Sequence, residues 1–290
     1  MPRAEANGIE LEYDTFGDPA DPTLLLIMGL GTQLTGWPPE FCRLLAGRGF
    51  HVVRFDNRDI GLSTQFDHLP TPDLFAIMTG DASTAPYLLE DFAHDAAGLL
   101  DALGVDRAHI VGASMGGMIA QELVMKYPKR VLSLCSIMST TGDRAVGQPS
   151  AAAMAALLLP AATDRAGAVE RGVKVLKVIS SPGYPPTEQW MRERTGEGYD
   201  RAYRPAGGMR QLAALVASPD RTPALREVTV PTVVIHGEAD QLVDVSGGKA
   251  TAAAIPGAEL VLYPGLGHDL PEALWTPIID VIARNAARAG

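Results

Sequence analysis

Ser114 lies in Gly112-Ala113-Ser114-Met115-Gly116, a G-x-S-x-G pattern. A serine hydroxyl is a weak nucleophile until a base takes its proton. The chain offers six histidines. His51 and His109 open apolar runs, His94 sits inside a helical pattern, His68 is in a proline-rich loop, and His236 ends an apolar run. His268 follows "LYPGLG", an apolar run and a glycine-rich turn, with a final helical pattern after it. Such a turn puts a side chain at the carboxyl edge of a sheet, where open α/β sheets bind ligands. A loop histidine is often merely solvated, but this one completes a set. The base needs a carboxylate to fix its tautomer and stabilise imidazolium. Asp240, in "HGEADQLV", stands just past a predicted strand end. Glu238 is the near alternative and Asp143 a more distant one.

Acyl transfer also needs N–H donors for the developing oxyanion. The Met115 N–H, next after Ser114, is one candidate. The second is the Leu30 N–H in "MGLGTQ", where Gly29 and Gly31 let the backbone approach a substrate closely.

The elements that must hold these residues follow from the apolar pattern. "IELEYDTF" (9–16) alternates at period two. "TLLLIMG" (23–29), "HVVRFD" (51–56), "AHIVGA" (108–113), "VLSLCSI" (131–137), "PTVVIHG" (231–237) and "AELVLYPG" (258–265) are nearly continuous apolar runs. Continuous runs fit strands covered on both faces, as in a parallel sheet. "LLEDFAHDAAGLLDALG" (88–104) carries a helical stripe of Phe92, Ala96, Leu99, Leu100 and Leu103, with Gly104 as its stop. The alternation predicts an α/β sheet with helices on both faces. G-x-S-x-G then falls between a strand and a helix. Side chains flanking Ser114 would collide across so sharp a turn, which explains Gly112 and Gly116.

One region breaks the rhythm. From 139 to 219 no good strand is found, only Ala-, Leu- and Met-rich helical pieces separated by Pro and Gly. It reads as a helical cap inserted into a core made of 1–138 and 220–290.

Composition narrows the partners. The 24 basic and 34 acidic residues give a formal net charge of −10. That disfavours nucleic acid, which is bound mainly by Lys and Arg on phosphates, and equally an anionic membrane. Cys42 and Cys135 are too few for a disulfide framework, and no Cys/His cluster has zinc spacing. The charged N-terminus lacks a signal peptide's apolar segment, so the chain reads as cytoplasmic.

"LLLIMGLG", "FDNRDIGLS", "VGASMGG", "HGEAD" and "GLGH" together resemble the α/β-hydrolase superfamily, from near Ile9 to the C-terminal helix. The chain order Ser114, Asp240, His268 is the order expected there. More closely, "FGDPADPTLLLIMG", "HVVRFDNRDIGLST" and "GVDRAHIVGASMG" resemble actinobacterial esterases of the aclacinomycin methylesterase type, which remove a methyl ester from an anthracycline polyketide. The resemblance implies a mostly parallel eight-stranded sheet, the same Ser, Asp and His roles, and a helical cap over the site. Two positions depart from the pattern. Asp59 stands where glycine is more usual, and Met28 where many relatives carry histidine, a change that would reshape the acyl pocket. Asp56 and Arg58 read as structural.

The expected function is a serine hydrolase acting on a carboxylic ester of a hydrophobic small molecule, without cofactor or metal. Met154, Met191, Met209, Trp190 and Tyr203 offer the cap an apolar wall, although packing alone accounts for most such residues. A carbon–carbon bond hydrolase or a cofactor-free perhydrolase would use the same triad. A non-catalytic ligand-binding homologue is the reading from another class.

Overall fold

The computed structural model describes residues 1–289. The apolar runs become strands β2 (Ile9–Phe16), β3 (Thr23–Ile27), β4 (His51–Phe55), β5 (Ala108–Ala113), β6 (Val131–Ile137), β7 (Thr232–Gly237) and β8 (Glu259–Tyr263), preceded by β1 (Arg3–Ala6). They form one eight-stranded sheet in the order β1-β2-β4-β3-β5-β6-β7-β8. β1 and β2 run antiparallel to their neighbours, and β3 to β8 are all parallel. Every residue of β3, β4, β5 and β7 is buried, as continuous apolar runs require.

The helices are α1 (Pro39–Ala46), α2 (Leu74–Met78), α3 (Leu89–Ala102), α4 (Met115–Lys126), α5 (Ala151–Leu157), α6 (Arg165–Ile179), α7 (Glu188–Ala202), α8 (Pro205–Ala217), α9 (Thr222–Leu225), α10 (Val245–Ala254) and α11 (Trp275–Ala287). Alternate residues of each strand face opposite sides of the sheet, so there are two cores. On one side Leu25, Ile27, Ile110 and Leu134 meet Phe92, Leu99 and Leu100 of α3 and Ile119 and Leu123 of α4. On the other, Leu24, Leu26, Val111, Ile137 and Ile235 meet Phe41 and Leu45 of α1 and Ile278 and Ile282 of α11. The α3 stripe is buried at Phe92, Ala96, Leu99 and Leu100, and Gly104 ends the helix at φ 67°.

Between β6 and β7 the chain makes α5 to α9 and no strand. Asp164, Ser150 and Thr187 cap α6, α5 and α7 through side-chain oxygens that accept N–H groups of the first turn. Met191 of α7 packs against Val169 and Val173 of α6, forming a small core separate from the sheet's. Among the described residues no helix is long and apolar enough to cross a membrane.

Candidate active site

The turn between β5 and α4 puts Ser114 at φ 57°, ψ −122°, a conformation that L-residues avoid. Such strain costs of order 1–3 kcal/mol and persists only where the surroundings enforce it. Two bonds enforce it here. The Ser114 N–H donates to Ile137 O at 2.9 Å, and Ser139 Oγ donates to Ser114 O at 2.8 Å. A Cβ on Gly112 would overlap the Gly116 carbonyl across the turn. The glycine at 116 has another cause: its Cβ would run into the Ile27 carbonyl of neighbouring β3.

His268 reaches this serine from the loop after β8. Its Nε2 lies 2.9 Å from Ser114 Oγ and its Nδ1 2.7 Å from Asp240 Oδ2. An ionised carboxylate only accepts, so Nδ1–H donates to Asp240 and Nε2 is left to accept the serine proton. The Asp240 side chain is fully buried and the His268 side chain only 7% exposed. The N–H groups of Leu242 and Val243 donate to Asp240 Oδ1 at 2.8 and 2.9 Å. Burial alone would push this carboxyl up. The facing His268, the nearby His236 and the Val243 N–H outweigh it and hold the carboxyl well below the usual carboxylate range. His236, fully buried, donates Nε2–H to Val243 O at 2.8 Å and stands 3.5 Å from Asp240 Oδ2. Of the alternative carboxylates, Glu238 is exposed, and Asp143 accepts the Ala145 N–H within its own turn.

The turn after β3 lies directly against the serine. A Cβ on Gly29 would stand 3.0 Å from Ser114 Cβ and 3.4 Å from Oγ. Thr32 N–H closes the turn onto Gly29 O at 3.2 Å, and Gly31 takes φ 65°. Gly31 N–H donates to Gln211 Oε1 at 2.9 Å, so it is already engaged. Leu30 N–H makes no bond among the described residues, and Met115 N–H, opening α4, has no carbonyl one turn back. Two free donors therefore flank the serine. Met28, 8% exposed, packs into the α1–α11 core with its Cε close to Gly36.

The other residues singled out in the sequence stand apart from this relay. Asp56 is buried, accepts the Leu34 and Leu62 N–H groups at 2.6 and 2.9 Å, and pairs with Arg201 at 2.8 Å. Arg58 holds Asp95 through Nε and Nη2 at 2.6 and 2.7 Å. Met191 is core, whereas Trp190, Met154 and Met209 are 45%, 38% and 39% exposed, and Tyr203 accepts the Ala162 N–H at 2.8 Å.

Sequence reasoning missed the residues that tie the helices between β6 and β7 to these loops. Arg210 donates to both carboxylate oxygens of Asp59 at 2.7 and 2.8 Å, and Tyr87 Oη donates to the same group at 2.5 Å. Gln33 Nε2 donates to the Gly198 and Ala202 carbonyls at 2.7 and 2.9 Å. Ile179 O accepts the His268 N–H at 2.7 Å. The Asp59 departure was the available signal, since a buried carboxylate demands a cation.

A sequence profile described as the alpha/beta hydrolase fold matches residues 22–272. The chain is 30% identical to rhodomycin D methylesterase DauP of Streptomyces sp. strain C5, over 97% of this chain and 96% of that protein. It is 29% identical to a 2-hydroxy-6-oxononadienedioate/2-hydroxy-6-oxononatrienedioate hydrolase of Burkholderia vietnamiensis, over 90% and 85% of the two chains. Among solved structures, the enol-lactonase from Burkholderia xenovorans LB400 superposes with a TM-score of 0.77 at 23% identity, covering 99% of this chain and 100% of that one, a likeness of fold. By its sheet order, its serine turn and these similarities, the chain belongs to the alpha/beta hydrolase fold family.

Proposed function

We propose that the protein is a serine carboxylic-ester hydrolase that acts through an acyl-enzyme. The observation that carries this reading is the unbroken relay from Ser114 Oγ through His268 to buried Asp240, at 2.9 and 2.7 Å. Ser114 Oγ attacks the ester carbonyl as His268 Nε2 takes its proton. The Leu30 and Met115 N–H groups hold the oxyanion of the tetrahedral intermediate. His268 then protonates the departing alkoxide, which leaves as the alcohol. Water, deprotonated by the same imidazole, attacks the acyl-enzyme and releases the acid and free Ser114. Asp240 stays ionised and fixes the imidazole in the tautomer that can accept.

The substrate we propose is a bulky hydrophobic ester, with methyl esters of polyketides first among the candidates. The 30% identity to a rhodomycin D methylesterase over nearly both full chains supports that choice. Residues 139–219 act as the cap in this reading, since α6, α7 and α8 touch the loops that carry His268, Leu30 and Asp59. Similarity to the Burkholderia vietnamiensis hydrolase supports a second reading, carbon–carbon bond hydrolysis with the same three residues.

A serine-directed phosphonate should label Ser114 stoichiometrically. Ser114→Ala should fold normally and lose turnover by about 10⁴-fold or more. Wild-type activity in that variant sinks the reading. A panel of methyl esters, p-nitrophenyl esters and 2-hydroxy-6-oxo-dienoates separates the two chemistries, because turnover of the dienoates alone selects the second.

A further inference from the structure

We propose that Gln211, on α8, is a positioning residue for the oxyanion turn, so that the helices between β6 and β7 help to build the catalytic machinery as well as cover it. The inference rests on the oxyanion role given to Leu30. Gln211 is fully buried. Its Oε1 accepts the Gly31 N–H at 2.9 Å, and its Nε2 donates to Arg58 O at 2.7 Å. Both ends of the amide are thus used, one on the turn after β3 and the other on the loop after β4.

The bond to Gly31 falls on the central peptide of the Gly29–Thr32 turn. The other end of that peptide, Leu30 O, accepts Thr32 Oγ1 at 3.2 Å. Two residues earlier, Asn57 Nδ2 donates to Met28 O at 2.8 Å. The peptide that carries the Leu30 N–H therefore lies between two clamped peptides. Releasing the Gly31 clamp leaves this turn held on Thr32 alone, through two bonds of 3.2 Å, so φ and ψ of Leu30 can drift and its N–H with them. Gly31 needs the grip most, because a glycine at φ 65° has no side chain to restrict it. Oxyanion stabilisation depends on donors fixed in advance at 2.7–3.1 Å from the future charge. A small drift therefore costs rate without costing substrate binding.

The test compares wild type, Gln211→Met, which keeps volume and loses both bonds, and Gln211→Asn, which keeps the amide but is one methylene shorter. Active sites are counted with the serine-directed phosphonate, and kcat is expressed per titrated site. We expect Gln211→Met to lower kcat about 10- to 100-fold, within the range for a misplaced catalytic donor, with KM within about twofold. Gln211→Asn should fall between the two. Affinity for a trifluoromethyl ketone, whose adduct with Ser114 carries the oxyanion, should weaken by the same factor as kcat/KM. A role in folding alone would reduce the titrated fraction and leave kcat per site intact. That result, or unchanged ketone affinity in a variant with reduced kcat/KM, overturns the proposal. If Gln211→Met does not fold, wild-type kcat in Gln211→Asn overturns it. Failure of the phosphonate to label wild-type Ser114 overturns the esterase reading instead.

Discussion

Asp240 shows how one buried carboxylate is kept charged. Four groups converge on it, and its carboxyl sits below the usual range despite full burial. Asp240→Asn keeps the shape, but the amide no longer enforces Nδ1–H on His268. We expect kcat to fall by about 10⁴-fold with substrate binding retained, measured by steady-state kinetics. The depressed pKa also has a stability consequence. A carboxyl whose folded pKa lies below its unfolded value stabilises the fold above the unfolded pKa, about 3.9, and loses that contribution as pH falls through the folded pKa. The gap in unfolding free energy between wild type and Asp240→Asn should therefore close as pH drops below about 4, and a widening gap in urea melts would contradict the assignment. Cys42 behaves oppositely, burial pushing its thiol up to about 12, and Cys135 is pushed up by complete burial. Neither should react with Ellman's reagent in the native protein near neutral pH, and both should react after denaturation. The three residues of the relay were legible in the sequence because each stands at a strand end marked by its own short motif. Gln211 was not, since its partners Gly31 and Arg58 lie far away in sequence and an internal helical glutamine carries no local mark.

At the scale of the element, the end of α6 and the residues after it grip the loop that carries His268. His268 N–H donates to Ile179 O, Gly267 N–H donates to Ser181 Oγ at 2.8 Å, and Ser181 bonds Asp269 through both its N–H and its hydroxyl. A Cβ on Gly267 would approach Ile179 O to 2.6 Å, so the two segments are pressed together. The histidine loop is held from outside the sheet as much as from within. Ser181→Ala removes the hydroxyl that joins Gly267 to Asp269. It should cost about 1–3 kcal/mol of stability and reduce kcat up to about 10²-fold with little change in KM, while Ser181→Thr restores most of both. Thermal melts run beside the kinetics decide the matter, and a loss of Tm with unaltered kcat would reduce the contact to packing. One alternating run and six nearly continuous apolar runs made seven of the strands legible to within a few residues. β1 was overlooked although its turn was written plainly. Asn7-Gly8 at φ 51° and 77° joins Ala6 to Ile9 as a two-residue hairpin, the geometry that Asn-Gly favours. The short "RAEA" has too little apolar character to announce a strand, and pairing with β2 makes it one.

At the scale of the whole molecule, the proposed reading assigns reactivity to the sheet and selectivity to the helices between β6 and β7. If they form the wall opposite Ser114, each added methylene that a substrate buries there gains about 0.8 kcal/mol. Bulky apolar esters should then be preferred over acetate. Polar substitutions on the wall should shift that preference while leaving p-nitrophenyl acetate turnover within a few-fold of wild type. Strong preference for acetate, or equal effects on short and bulky esters, would remove the wall from the account. The helical character of this segment was legible from Ala/Leu/Met-rich pieces and Pro/Gly breaks, but the inward-facing residues were not, because α7 and α8 are anchored by polar contacts that apolar periodicity does not report. The segment also begins and ends at neighbouring strands. β6 and β7 lie side by side, with Leu134 opposite Thr232 and Ile137 opposite Ile235, and a parallel pair needs only a crossover of about a dozen residues. The excess chain is thus a cassette inserted between adjacent strands, whose exchange would reorder no strand of the sheet. The anchors decide which exchanges succeed. A transplanted cassette that lacks a glutamine for Gly31, an arginine for Asp59 and a carbonyl for the His268 N–H should yield a folded but sluggish chimaera, and restoring those three partners should recover its speed before any change to the substrate wall does.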